Sequence, residues 1–343
     1  ISGKIIEAKF VDTHNQELEN IPKKIAINNS TIISFAIPID EDGTLKPNTK
    51  CNEISMFAFL PTLVKDFKFP FYINANFILD PPRQRILGDS PWNFYLMQEI
   101  ARCLVHWCAS LNEKKDKNAL NILLSKSFEE DTTDTKQLAE HFNSAYKTAL
   151  ETEAFILNHK GELARQDEII IDKTGLSEII GADLFCKLLE NEKCLPSEKI
   201  DSKILEEDIF EYIETLKFDD VIEAITDNED FNEWFVSATD EQKKTLYKWI
   251  DENNIKTREN DLRSFVSNLP LFQFVGEYKS RKETETHTYI ITTEHIIPIK
   301  EILSKLGFVC SDNIFDKSHP LYAFIELRDE DDLFDSIKDN GDF

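Results

Sequence analysis

Short apolar runs rich in isoleucine and phenylalanine occupy the first eighty residues and predict β-strands. They cover residues 3–10, 23–39, 54–60 and 69–79. Pro61 follows the third run and Pro81-Pro82 follow the fourth. Proline has no N–H to donate to a neighbouring strand, so each strand is expected to stop there. The pattern therefore indicates a small sheet at the front of the chain.

Apolar residues at helical spacing predict a mainly helical remainder. Ser90 and Pro91 suit the N-cap and first turn of a helix over 91–110. Its apolar stripe consists of Leu96, Ile100, Leu104 and Trp107. Further helices are predicted over 135–157, 176–190, 203–216, 218–226, 239–252, 258–267 and 297–306, with strand-like residues at 168–172 and 286–293. The expected class is α+β: an N-terminal α/β module, then a mainly helical module with a small mixed C-terminal section.

Charge is unevenly distributed along the chain. The 343 residues hold 39 Lys and Arg against 64 Asp and Glu, a net charge of −25. Residues 1–125 carry 14 basic and 14 acidic groups, whereas residues 126–343 carry 25 basic and 50 acidic groups. This step predicts two domains with the boundary between 125 and 126. The acidic part argues against direct binding to nucleic acid or to an anionic membrane, because phosphate neutralisation needs clustered Lys and Arg.

Composition excludes several classes of protein. The 9 glycines never occur as GxG, GxxG or GxxxxGK, which excludes a Rossmann fingerprint and a P-loop. No run of about 18 uncharged apolar residues predicts a membrane span. The 6 cysteines are scattered, which indicates a reduced, cytoplasmic setting. The chain starts at Ile1 rather than at methionine, so we expect it to be a piece of a longer protein.

Two arginines, Arg83 and Arg85, are candidates for a functional site. They lie on a short connection just after an apolar strand, behind a diproline. Rigid placement of a guanidinium is what phosphate recognition needs. The alternative is that both arginines form surface ion pairs with Asp80 and Asp89, which would contribute little. The pattern of residues alone leaves both interpretations open.

The segment around these arginines carries a family resemblance. FAFLPT at 57–62, FPFYINANFILDPPRQRI at 69–86 and PWN at 91–93 follow one another in the same order as in sacsin-type and plant no-vein-type proteins. In those proteins the segment follows the ATP-binding domain, and they belong to the GHKL superfamily of gyrase, heat-shock chaperones, histidine kinases and MutL. The resemblance covers residues 25–110, and residues 230–254 are similar to the helical tail of such proteins.

The resemblance implies a role for the arginines. In the chaperone relatives an arginine of the middle domain reaches the γ-phosphate of ATP held by the preceding domain. By position this role would belong to Arg83, with Arg85 as the alternate. ATP and Mg²⁺ would be cofactors of the parent protein and not of this chain, because no DxGxG turn of the superfamily's ATP pocket occurs here. The partners implied are the neighbouring ATP-binding domain of the same polypeptide and protein clients.

The function implied is the coupling of ATP hydrolysis in a neighbouring domain to remodelling of a client or partner. The chain alone would be inactive. A non-catalytic interaction scaffold and a part of a prokaryotic defence ATPase are the alternatives, whereas no Ser-His-Asp order or GxSxG elbow supports an independent hydrolase. Cys103, His106 and Cys108 lie close together, but their spacing favours core packing over a zinc site.

Overall fold

The structure is a computed structural model that confirms the α+β class. It describes residues 3–6, 31–47, 54–114, 116, 118–129, 135–189, 193–253, 259–274, 276–284, 288–291, 297–314 and 318–339. The chain forms two compact units. Unit 1 comprises Ile1–Ile171 and Lys193–Glu214, and unit 2 comprises Asp172–Glu192 and Thr215–Phe343.

A five-stranded sheet forms one layer of unit 1. Its strands are β1 (Gly3–Ile6), β2 (Thr31–Ala36), β3 (Met56–Ala58), β4 (Leu60–Pro61) and β5 (Tyr72–Asn74). Their order is β1-β2-β5-β3-β4, with β3 and β5 parallel and the other neighbours antiparallel. The predicted strand over 54–60 is divided, because Phe59 turns the chain between β3 and β4. The expected strand residues 7–10 and 23–30 lie outside the described residues.

Helix α1 (Pro91–Glu113) covers one face of this sheet. The predicted N-cap is confirmed, since the Ser90 side chain accepts a hydrogen bond from the Asn93 N–H. Leu96, Ile100 and Leu104 are fully buried, as their helical spacing predicts. They pack in one core with the inward residues of the strands, which are Ile33, Phe35, Met56 and Ile73.

Helix α2 (Lys136–Thr152) packs along α1 and completes the core of unit 1. Phe142 on α2 lies 5.4 Å from Phe69 and 5.0 Å from Phe128, measured between ring centroids. These aromatic contacts pack α2 against the N-terminal part of unit 1. The boundary between the units thus differs from the predicted one at 125/126, because the step in surface charge does not follow the packing of apolar side chains.

Helix α2 is shorter than the predicted helix over 135–157. Phe155 and Ile156, beyond the end of the helix, are both completely buried in the core of unit 1. The chain instead enters β6 (Ile156–Leu157), which pairs antiparallel with β7 (Leu163–Ala164). Strand β8 (Ile170–Asp172) follows after a 3₁₀ turn.

The predicted helix over 203–216 is wrong. Two 3₁₀ turns, Ile204–Glu206 and Asp208–Phe210, precede β9 (Glu214–Leu216) there. Leu205 and Phe210 are both buried in the core of unit 1. Five residues apart on an α-helix they would point about 140° away from each other. Consecutive turns bring both side chains to the same core.

Unit 2 is mainly helical. Its helices are α3 (Leu176–Ile180), α4 (Ala182–Leu188), α5 (Phe218–Ile225), α6 (Glu229–Ser237), α7 (Asp240–Asn253), α8 (Glu259–Asn268), α9 (Lys300–Lys305) and α10 (Glu330–Asp339). The predictions at α5, α7 and α8 are confirmed within a few residues. The single helix predicted over 176–190 is interrupted at Gly181, whose φ of +90° and ψ of 147° suit glycine alone.

Short strands complete unit 2. Strand β10 (Phe272–Phe274) pairs antiparallel with β11 (Glu277–Lys279) and β14 (Asn313–Ile314), and β12 (Thr288–Ile290) pairs parallel with β13 (Val309–Ser311). A small core packs beside the parallel pair, formed by Tyr289, Ile291, Leu303, Cys310 and Leu333. Within the described ranges no helix unites the length and the apolar composition that a bilayer crossing requires.

The carboxylate of Asp172 organises the start of α3 in unit 2. Its Oδ1 accepts from the Thr174 N–H at 2.8 Å and from the Thr174 hydroxyl at 2.6 Å, and its Oδ2 accepts from the Ser177 N–H at 2.8 Å. We expect Asp172→Ala to lower the free energy of unfolding by about 1–2 kcal/mol, the usual cost of losing a helix cap. Urea denaturation followed by circular dichroism measures this. Asp172→Asn, which keeps the Oδ1 acceptor, should cost less; equal losses for the two variants would contradict the assignment.

Candidate functional site

Residues 80–85, the arginine loop, form a tight turn at the surface of unit 1. The flanking residues Leu79 and Ile86 make an antiparallel bridge. Within the loop, the Asp80 N–H donates to the Arg85 carbonyl at 2.9 Å, and the Arg83 N–H donates to the Asp80 carbonyl at 2.8 Å. The backbone of the loop is therefore closed on itself by its own hydrogen bonds.

The Asp80 side chain adds to this closure. Its Oδ1 accepts from the backbone N–H of Gln84 at 2.7 Å and of Arg85 at 3.0 Å. The two prolines between Asp80 and Arg83 have fixed φ angles and no N–H to satisfy. Arg83 itself has a φ of +59°, the left-handed region. The bonds of Asp80, the two prolines and the backbone of the loop thus define its shape.

Asn93 anchors the base of the loop to helix α1. It is fully buried. Its Oδ1 accepts from the Ile78 N–H at 2.9 Å, and its Nδ2 donates to the carbonyls of Ile78 at 2.8 Å and of Leu87 at 2.9 Å. Next to it, the Trp92 indole donates to the Asn76 carbonyl at 2.8 Å. The PWN motif of the sequence therefore fixes both chain segments that lead into the loop.

Both candidate arginines are exposed on this loop. Arg83 forms no surface ion pair with Asp80 or Asp89, and Asp80 Oδ1 instead accepts from the backbone N–H groups of Gln84 and Arg85. The Arg83 guanidinium makes no ion pair or hydrogen bond with any residue that the structure describes. A charged group on a preformed loop is available to a partner from outside.

The turn between β3 and β4 lies beside the arginine loop. Leu63, just after β4, donates its backbone N–H to the Gln84 carbonyl at 2.7 Å. Thr62 is buried and donates through both its N–H, at 3.1 Å, and its hydroxyl, at 2.9 Å, to the Met56 carbonyl. The Leu63 bond thereby joins the sheet edge to the arginine loop.

Phe59 at the tip of this turn is conformationally unusual. Its φ is +64°, its backbone N–H donates to Asn74 Oδ1 at 2.9 Å, and its side chain is 83% exposed. The left-handed conformation costs a bulky residue about 1–2 kcal/mol, and an exposed ring recovers little of this. Leu60, 70% exposed, and Leu63, 53% exposed, extend the apolar surface. Periodicity could not reveal this feature, because it predicts a continuous strand over 54–60.

Cys103 and Cys108 are buried in the core of unit 1, whereas His106 is partly exposed and lies 3.7 Å from the Glu153 carboxylate. Burial raises the pKa of the Cys108 thiol far above its ordinary value. The favoured interpretation of these two cysteines as core residues agrees with their burial. Among the described residues, His, Cys, Asp and Glu side chains do not gather in threes as metal ligands would.

Burial of Cys108 leads to a test of thiol reactivity. The thiolate is the reactive form, so a fully buried thiol with a raised pKa should react slowly with iodoacetamide. We expect the partly exposed Cys194 to be labelled before Cys108 in the folded chain. Mass spectrometry of peptides from a time course measures this order. Equal rates in the folded chain would contradict it, and urea-unfolded chain, in which both react, is the control.

Comparison with known proteins gives no relative. No family model, curated protein or solved structure matches the chain.

Proposed function

We propose that this chain is the transducer part of a GHKL-type ATPase, in which the arginine loop meets ATP held by a neighbouring domain. The observation that carries the proposal is Arg83, an exposed guanidinium without a partner among the described residues, on a loop fixed by Asp80 and Asn93. The resemblance of residues 57–93 to the segment after the ATP-binding domain of sacsin-type proteins supports it.

Preorganisation is the physical basis of this role. Phosphoryl transfer is accelerated mainly by charges positioned where negative charge develops. A flexible arginine would lose conformational entropy on reaching the phosphate, whereas the closed loop removes the backbone part of that loss. Arg83 is therefore the side chain we assign to the γ-phosphate, and Arg85 is the alternate. ATP and Mg²⁺ would be bound by the neighbouring domain.

Hydrolysis in that domain would change how strongly it holds the arginine loop, and so would move unit 1. This movement is the proposed output, which remodels a protein client or partner in the manner of a chaperone. The net charge of −25 disfavours contact with phosphate backbones and so supports a protein as the partner.

A non-catalytic interaction scaffold is the second candidate. The exposed apolar residues Phe59, Leu60 and Leu63 beside the arginine loop favour it, because contiguous apolar surface is typical of protein contacts. In a scaffold the arginines would take part in binding alone. Turnover of ATP therefore separates the two candidates.

The experiment that tests the proposal is ATP hydrolysis by the intact polypeptide that contains this chain, with ATP affinity measured in parallel. We expect hydrolysis that depends on Arg83 and affinity that does not. Absence of ATP hydrolysis by the intact polypeptide would exclude the transducer and leave the scaffold.

A further inference from the structure

A cavity of about 450 Å³ lies in unit 1 beside the C-terminal half of helix α1. We name it the helix-end cavity. One face of α1 lines it between Cys103 and Glu113, strand β2 contributes Ile33 and Phe35, and the chain around β6 and β7 contributes Ala154 and Leu163. Its volume lies in the range of small-molecule sites. None of its described lining residues belongs to the arginine loop.

The buried end of the helix-end cavity is apolar and aromatic. Ile33 and Phe35 are buried there, and Trp107 is partly exposed. The Trp107 and Phe35 rings stack, with centroids 5.3 Å apart and an interplanar angle of 5°. Phe71 meets Trp107 edge to face at 5.4 Å and 90°. These contacts fix the Trp107 ring, so a ligand would find a rigid apolar wall that suits another aromatic ring.

The open end of the cavity presents two hydrogen-bond acceptors. Ser110 and Glu113 are exposed and lie one helical turn apart on the same face of α1. The Ser110 hydroxyl donates to the His106 carbonyl at 3.1 Å, so only its lone pairs remain for a ligand. Glu113 makes no ion pair or hydrogen bond with any described residue, and an ionised carboxylate only accepts. A ligand must therefore bring donors to this end.

The electrostatic environment of the open end favours a cationic donor. Glu113 is the last residue of α1, whose 23 residues include no basic side chain in the last turn. The carbonyls at the end of a helix carry partial negative charge and attract cations. The Glu153 carboxylate adds to this, 3.7 Å from the His106 ring of the lining. The described lining contains no lysine or arginine, and the C-cap residue Lys114 is not part of it.

We propose that the helix-end cavity binds a small organic amine with an aromatic ring. The ring lies against Trp107 and Phe35, and the ammonium donates to Ser110 Oγ and to the Glu113 carboxylate. Because both acceptors are exposed, the ammonium keeps contact with water and loses little hydration. Binding requires no ATP, so this site goes beyond the proposed function and does not depend on it.

Titration of the full chain with phenethylamine, followed by NMR of the indole N–H groups, tests the proposal. The chain has four tryptophans, and Trp107→Phe identifies the signal that belongs to the cavity. We expect phenethylamine to shift the Trp107 signal to saturation, with a dissociation constant in the millimolar range that is usual for so small a ligand. The other three signals should change little. A Trp107 signal that does not respond would overturn the proposal.

Matched ligands test each part of the amine. Phenethyl alcohol replaces the ammonium by a hydroxyl, and hydrocinnamate replaces it by a carboxylate. Both should have dissociation constants at least about threefold higher than phenethylamine at low ionic strength. The difference should disappear near 1 M salt, where screening acts over about 3 Å. Equal affinity for the alcohol at low ionic strength would show that the ammonium is not recognised.

An ammonium without the ring distinguishes a free amine from a protein side chain. Nα-acetyl-lysine amide carries the ammonium on an alkyl stem and has no ring to place against Trp107. We expect it to bind at least about tenfold more weakly than phenethylamine, because it buries less apolar area. Equal affinity would make the cavity a docking place for a lysine of a partner protein and would overturn the proposal.

The variant Glu113→Gln removes the charge at an exposed position and keeps the shape of the side chain. The dissociation constant of phenethylamine should rise at least about threefold, while that of phenethyl alcohol stays the same. Glu140→Gln, at an exposed glutamate of α2 outside the described lining, is the matched control. Ala154→Phe adds a ring at an exposed position of the lining and should abolish binding. Unchanged binding of phenethylamine by either cavity variant would contradict the assignment.

Lys4 is the competing source of an ammonium, because strand β1 pairs it with Ile33 of the lining. We expect Lys4→Met to leave the dissociation constant of phenethylamine almost unchanged. Binding that occurs only in Lys4→Met would overturn the proposal, since the chain itself would then supply the amine.

Discussion

Replacing Arg83 by glycine will slow ATP hydrolysis by the intact polypeptide at least about a thousandfold, the lower end of the range for an arginine that stabilises a transferring phosphate. Glycine is the informative substitution, because Arg83 has a φ of +59° that glycine adopts without strain. The loop should therefore keep its backbone hydrogen bonds and lose only the guanidinium. The affinity for ATP should change little, since the charge acts mainly on the transition state.

Single-turnover hydrolysis measures the chemical step, and calorimetric titration with a non-hydrolysable ATP analogue measures affinity. Arg102→Ala is the matched control, because Arg102 is an exposed arginine that pairs with Glu99 on α1. Its turnover should equal that of the unchanged protein. If Arg83→Gly hydrolyses ATP at the normal rate, the guanidinium has no role in catalysis. If turnover is normal for Arg83→Gly but lost in Arg85→Ala, the assignment belongs to the alternate arginine.

Replacing Asn93 by alanine will lower the free energy of unfolding by about 3 kcal/mol or more, because buried partners are left without hydrogen bonds. The Ile78 N–H and the Leu87 carbonyl both lose the Asn93 side chain. The Ile78 carbonyl keeps its bond from the Leu87 N–H. Urea denaturation measures the loss, and hydrogen exchange at the Ile78 amide shows whether it is local to the base of the arginine loop.

Asn121→Ala is the control for this experiment, since the exposed Asn121 side chain donates to the Asn118 side chain and leaves no buried partner when it is removed. It should change the free energy of unfolding by less than about 0.5 kcal/mol. A loss at Asn93 as small as that at Asn121 would show that the buried amide does not hold the loop. A large loss of unfolding free energy at Asn93 with unchanged hydrogen exchange at the Ile78 amide would show that Asn93 stabilises a part of the fold other than the base of the arginine loop.

Much of unit 1 is predictable from the sequence because its signals are local. Ser90 and Pro91 mark the start of α1, and the stripe through Leu96, Ile100 and Leu104 marks the face that it buries. These residues act within one or two helical turns. The arginine loop is also predictable from the sequence, because a diproline after an apolar run ends the strand and favours a turn.

The features that position the site depend on contacts between distant segments. Asn93 bonds to Ile78, and Phe59 is held by Asn74, and neither pairing leaves a periodic signal. The helix predicted over 203–216 is wrong for a related reason. Its apolar residues repeat as on a helix, but the core accepts Leu205 and Phe210 together, and this is a property of the tertiary packing.

The order in which the chain is synthesised has a consequence for unit 1. Its last segment, Lys193–Glu214, leaves the ribosome only after residues 172–192 of unit 2 have emerged. Until then Phe155 lacks the Phe210 ring that lies 6.3 Å away in the finished core. A nascent chain halted near residue 190 would therefore expose an unfinished apolar surface and would need protection from aggregation. Synthesis of about 25 further residues, as far as Glu214, would supply the missing segment and bury this surface.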